Sequence, residues 1–134
     1  MRRILILAVL SSLYSYAGNM DGYMQKLYNA AKSSDSNFKG FSAKRGEKIF
    51  FSKHMGKRGK IISCASCHTD NIKNMGENIF TGKKIKPLSP KANAKRLTNV
   101  KNVKKWLRRN FKDVYKREGT PLEKGDVLTF IANQ

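Results

Sequence analysis

Apolar residues recur at helical spacing in four stretches of the chain. From Asp21 to Ala31, Tyr23, Met24, Leu27, Tyr28 and Ala31 fall on one stripe behind Asp21 as a cap, which predicts a short amphipathic helix. Lys32 to Lys39 is polar and reads as a linker. A second helix starts at Ser42 and presents Gly46, Ile49, Phe50 and His54 on one side and lysines on the other, with Gly56 and Gly59 as its stop. The clearest helix follows Thr98 or Asn99 as cap: Val100, Val103, Trp106, Leu107, Phe111 and Val114 share a face, while Lys101, Lys104, Lys105, Arg108, Arg109 and Lys112 point away. Gly119 is its expected stop. Thr120-Pro121-Leu122-Glu123 then combines a capping box with Pro at the first helical position and opens a last helix through Val127, Leu128, Phe130 and Ile131. No stretch alternates as a strand would, so the fold class is all-α.

Two segments lack a helical period. Asn71 to Leu97 is polar and punctuated by Gly76, Gly82, Pro87 and Pro90, which predicts a long loop. A loop of that length is unusual inside a compact domain unless it wraps around something. The other segment is the start of the chain. Met1-Arg2-Arg3 is a basic n-region, Ile4 to Leu10 an unbroken apolar run, and Ser15-Tyr16-Ala17 a small-x-small cleavage site, the signature of a secretory signal peptide. Ser11 and Ser12 interrupt the run well short of the ~20 apolar residues of a membrane anchor. The expected organisation is therefore a signal peptide over 1–17, an N-terminal helix and linker over 18–40, and one domain over 41–134, exported to the periplasm.

Charge narrows the partners. The 134 residues carry 28 Lys+Arg against 9 Asp+Glu, a formal +19, and loss of the signal segment removes only two of those cations. Such an excess implies an anionic partner. Export disfavours nucleic acid, leaving an acidic protein surface or, peripherally, lipid headgroups.

Exported proteins use cysteines as disulfide staples, yet the only two here stand in Cys64-Ala65-Ser66-Cys67-His68. This C-x-x-C-H run is a c-type haem attachment site. On a single helical turn, positions i, i+3 and i+4 share a face, so both sulfurs can form thioethers with the haem vinyl groups while His68 meets the iron. A thioredoxin-like pair would need βαβ patterning, which is lacking, and a zinc site would need ligands beyond the one remaining histidine, His54. His54 sits among Lys53, Lys57 and Arg58 and reads as an edge histidine rather than an iron ligand.

The second iron ligand is the open question. Helices arranged around C-x-x-C-H, with Gly46 one turn before Phe50, resemble a small class I cytochrome c wrapped around one covalent haem, a family in which a downstream methionine commonly completes the coordination. Met75 follows His68 too closely to serve, and no methionine lies further on. Asn110 is the anomaly, because Val103, Leu107, Asn110 and Val114 place an amide on the apolar stripe of the third helix. Buried without partners it would cost about 1–3 kcal/mol. It either bonds backbone or water, or it serves the site facing His68. Amide oxygen is a hard, weak-field donor, acceptable to ferric and poor for ferrous iron.

The residues around it sharpen the choice. Lys105 to Asn110 and Arg117 to Asp126, together with Ser42 to Phe51, Cys64 to His68 and Gly82 through Pro87-Leu88-Ser89-Pro90 to Arg96, resemble the SHP family of oxygen-binding monohaem cytochromes c. The resemblance implies Cys64 and Cys67 as haem attachment points and His68 as proximal ligand. It implies Asn110 as a distal ligand displaced on reduction to admit O2, NO or CO, with electrons delivered by a dihaem cytochrome c. Trp106, Leu107, Pro87 and Leu88 are the expected walls of the haem pocket. That family can carry a cysteine pair where this chain has Phe111 and Gly119. The other reading is a plain periplasmic electron carrier without gas-ligand function.

Overall fold

The computed structural model describes residues 17–134, so the expected signal peptide lies almost wholly outside the described residues. Five α-helices are described: α1 (Ala17–Ser34), α2 (Ala43–Phe51), α3 (Ala65–His68), α4 (Val100–Tyr115) and α5 (Pro121–Ala132). Two small antiparallel hairpins join them, β1 (His54–Met55) with β2 (Ile61–Ile62) and β3 (Gly76–Glu77) with β4 (Lys84–Ile85). Among the described residues no helix is long and apolar enough to cross a membrane.

Three of the expected caps form, whereas Asp21, expected as the cap of the first helix, lies inside α1 four residues past its start. The Ser42 hydroxyl accepts from the Arg45 N–H at the start of α2, and the Asn99 side chain accepts from the Asn102 N–H at the start of α4. At α5 the capping box is complete: Thr120 Oγ1 accepts from the Glu123 N–H, and the Glu123 carboxylate accepts from the Thr120 N–H. Arg117 forks onto both oxygens of Glu123, at 2.8 and 2.7 Å, and holds that carboxyl below the usual carboxylate range.

The helix ends differ from expectation. α2 stops at Phe51 because Ser52 turns extended, and the chain enters a hairpin in which His54 pairs with Ile62. His54 is thus on a strand, not on α2. Gly56 belongs to that hairpin, where a side chain would press on the Asp113 carbonyl 2.5 Å away. Likewise α4 is closed by Lys116 in the left-handed region (φ 56°), whose N–H donates to the Lys112 carbonyl. Gly119 instead lies against the Phe111 ring, 2.8 Å from where a Cβ would stand.

The segment from Asn71 to Leu97 is a long connection but a structured one. Besides the β3–β4 hairpin, Leu88 and Ser89 donate their N–H groups to the Ile72 carbonyl, and the buried Ser89 hydroxyl donates to the Gln134 carbonyl. The predicted polar linker after α1 also hides a core residue. Phe38 is buried, its ring 5.2 Å from Tyr28 and 5.3 Å from Phe41.

Packing centres on the crossing of α2 with α5. A Cβ on Gly46 would lie 1.9 Å from the Asp126 carbonyl oxygen, so only glycine allows this approach. The Asp126 side chain is fully buried. It accepts from Arg45 Nε at 2.7 Å, Arg45 Nη2 at 2.9 Å and the Ser42 N–H at 2.7 Å. Phe50, Phe111, Val127, Phe130 and Ile131 form the main core around the crossing, with Ile72 from the connection, and α1 adds Tyr23 and Leu27 against Leu128. Gly46→Ala should therefore destabilise the protein by about 3 kcal/mol through overpacking. A lower urea midpoint with an unchanged slope would show it.

Candidate haem-binding site

α3 is a single turn, and Thr69 (φ 67°) bends the chain away directly after His68. Strand β3 lies against this turn because Gly76 has no side chain: a Cβ there would stand 2.2 Å from the Cys67 carbonyl oxygen. Cys64 and Cys67 are both half-buried and form no disulfide with one another. The His68 ring packs 6.2 Å from the Phe50 ring, so the helix crossing reaches the site through one aromatic contact.

Two adjoining cavities, ≈ 170 and ≈ 570 Å³, share Cys64, His68, Lys95, Arg96, Trp106 and Asn110 as lining. The smaller is walled by the core side of α4 and α5, including Val103, Leu107 and Phe111, with Leu88 from the long connection. The larger runs under the loop that carries Phe80, Lys83 and Lys86. Folded interiors rarely leave such volume, least of all beside a small core. A flat apolar prosthetic group accounts for it.

The chemistry of the lining fits haem. Burial, and secondarily the Arg96 charge, lower the His68 pKa to about 4, so the imidazole is neutral and keeps a lone pair for iron. Burial pushes the Cys64 thiol up to about 12, the reverse of the lowered pKa of a thioredoxin-like nucleophile. Among the described residues no group of three or more His, Cys, Asp and Glu side chains converges as a zinc site would require. Lys95 and Arg96, which line both cavities, would supply cations to the carboxylates of a bound haem.

The expected wall residues divide. Leu107 and Leu88 line the smaller cavity, Asn110 and Trp106 line both, and Pro87 lines neither. The Pro87 carbonyl instead accepts from Arg96 Nε at 2.8 Å, while Arg96 Nη2 donates to the Lys86 carbonyl at 2.6 Å. Trp106 is 49% exposed, with the Lys105 ammonium 5.0 Å and the Arg109 guanidinium 5.5 Å from its ring, so it joins cavity to surface. Met75 is exposed on an outer groove, and no described methionine lines either cavity. His54 also lines neither; half-buried, it stacks on Tyr115 at 4.0 Å with its Nε2 unpartnered. Sequence reasoning missed Asp113, which lines the larger cavity one turn beyond Asn110, and the i, i+3 relation to Asn110 was the available signal.

Helices packed around an attachment motif and an apolar cavity define a small class I cytochrome c-like protein. Residues 36–131 match the family described as a domain of unknown function, DUF1924, and the chain belongs to that family. Over 133 residues it is 32% identical to cytochrome c'' of Methylophilus methylotrophus, covering 98% of this chain and 92% of that protein. It is 40% identical over 92 residues to the cytochrome c-type protein SHP of Cereibacter sphaeroides, covering 69% and 70%. The crystal structure of oxidised cytochrome c'' superposes with a TM-score of 0.76 at 33% identity, over 87% of this chain and 94% of that one. Oxidised SHP, described as an oxygen-binding cytochrome c, superposes at 0.74 and 34%, over 86% and 96%. A solution structure of cytochrome c'', described as giving insight into haem-ligand detachment, scores 0.75.

Proposed function

We propose that this chain is an exported periplasmic monohaem cytochrome c whose distal ligand leaves on reduction. Cys64 and Cys67 form thioethers to one haem, His68 supplies the proximal nitrogen, and Asn110 supplies the distal oxygen in the ferric protein. The group brings an iron that takes one donor on each face and binds small gases when a face is free. The chain's own contribution is the exchange: the amide of Asn110 suits ferric iron, releases on reduction, and leaves room for O2, NO or CO. The observation that carries this reading is that Asn110 and His68, from different helices, line the same two cavities while no described methionine does. The description of cytochrome c'' in terms of haem-ligand detachment and of SHP as oxygen-binding supports it.

Electrons come from another cytochrome, of acidic surface. Lys101, Lys104, Lys105, Arg108, Arg109 and Lys112 are all exposed on α4, and among them only Lys112 has an acidic partner, Glu118 at 3.6 Å. Trp106 stands within this face and reaches the cavity.

Three outcomes follow. Protein matured in a host with c-type assembly machinery should give a haem-staining band on a denaturing gel, and Cys67→Ala should retain one thioether. An unstained wild-type band would end the proposal. Asn110→Ala should change the ferric spectrum and its affinity for small ligands while keeping CO binding in the ferrous state. A ferrous spectrum indifferent to CO, with Asn110→Ala spectrally silent, would leave the plain electron carrier. Finally, the bimolecular rate of reduction by the acidic donor should drop steeply as added salt shortens the Debye length from about 10 Å at 0.1 M.

A further inference from the structure

Asp113 is the one carboxylate among the residues lining the two cavities of a chain that holds only 9 acidic residues against 28 basic ones. It is not a free surface charge. Lys57, from the turn Lys57–Gly59, reaches its Oδ1 at 3.3 Å, and the same Lys57 ammonium sits 5.3 Å from the Phe80 ring on the cavity wall. The backbone is pinned as well, since the missing side chain of Gly56 lets the hairpin close onto the Asp113 carbonyl. The one described partner of the Asp113 carboxylate is Lys57, and Asn110, which lines the same cavity, is not hydrogen-bonded to it in this structure.

Asn110 and Asp113 are i, i+3 neighbours on α4, a spacing at which amide and carboxylate side chains pair across one turn. A carboxamide has one end that accepts and one that only donates. Nothing in an apolar cleft decides which end faces inward unless an acceptor takes the NH2. We infer that Asp113 is the positioning residue for the distal amide: with the haem in place its carboxylate would accept from the Asn110 NH2, turning the amide oxygen into the cavity and strengthening that oxygen as a donor. A hydrogen bond to a carboxylate polarises the amide, moving electron density onto its oxygen. Lys57 pairs with the other carboxylate oxygen, Oδ1, on the side of the Phe80 ring. This inference rests on the reading of Asn110 as the ferric ligand and adds the group that makes it one.

The test is a double-mutant cycle on the ferric holoprotein with imidazole as the incoming ligand, at a pH well above the imidazole pKa so that the probe is neutral and a simple change of charge leaves it largely unaffected. Haem content and helicity are checked in each variant; alanine has the highest helix propensity, so neither substitution weakens α4 through propensity. Asp113→Ala should raise the imidazole association rate roughly tenfold, the equivalent of one hydrogen bond to a charged group. Asp113→Asn, which keeps an acceptor, should recover part of the difference. In the Asn110→Ala background, Asp113→Ala should change the rate little. Equal effects in both backgrounds, or no effect of Asp113→Ala alone, would overturn the assignment of Asp113. If Asn110→Ala by itself leaves the ferric spectrum and the imidazole rate unchanged, the ligation reading fails instead, and the assignment of Asp113 with it.

Discussion

Where α2 meets α5, one backbone carbonyl occupies the space a side chain would need, and the remaining architecture depends on that contact. Gly46 admits the Asp126 carbonyl, and the Asp126 carboxylate then lies in the core with no exposure at all. A buried carboxylate is tolerated only when fully partnered, and deleting its partner costs about 3–5 kcal/mol. Arg45 and the Ser42 N–H supply three hydrogen bonds, which tie the start of α2 to the middle of α5. The crossing brings the Phe50 and Phe130 rings to 5.4 Å, and Phe50 in turn backs the His68 ring. The histidine is therefore aimed by a glycine and an aspartate that never touch it.

Beyond that point the site is assembled by connections rather than by helices. Gly76 lets β3 rest on Cys67, and the Leu88 and Ser89 N–H groups anchor the long segment to Ile72. Arg96 holds its own loop by donating to the Pro87 and Lys86 carbonyls while its charge faces the cavity beside His68. Wrapping a prosthetic group with chain of this kind explains how so few helical turns can surround so large an apolar object. Pro87, which lines neither cavity, presents the carbonyl that accepts from Arg96 Nε.

Much of this was legible in the sequence, and the parts that were not have physical reasons. The caps at Ser42, Asn99 and Thr120 were readable because a side-chain oxygen close to an apolar stripe has few other uses. Helix ends were not, because the αL residue that closes α4 is a lysine, and glycines 56 and 119 are small for packing against Asp113 and Phe111 rather than for turning. The hairpin holding His54 is only two residues per strand, too short to alternate visibly. Phe38 looked like part of a linker because a single aromatic has no period. At the site, the attachment motif and Asn110 stood out by residue type, whereas Asp113 did not. A carboxylate near the polar side of a basic helix reads as ordinary surface until the hairpin carrying Lys57 closes over it.

α4 carries both halves of the proposed chemistry. Its inner face presents Leu107 and Asn110 to the cavities, its outer face presents six exposed cations, and Trp106 belongs to both. The helix is anchored in the core by Phe111 and Val114, with Lys57 paired to Asp113 at its flank. The cation–π contacts of Lys105 and Arg109 with Trp106 make the indole the point where surface charge and cavity meet. An acidic surface that neutralised those cations would alter the field at the amide one turn away, because charges at that separation are poorly screened in a partly dry interface. Under the proposed function, the surface that would recruit the electron donor is built on the same helix as the residue that would let go when the electron arrives.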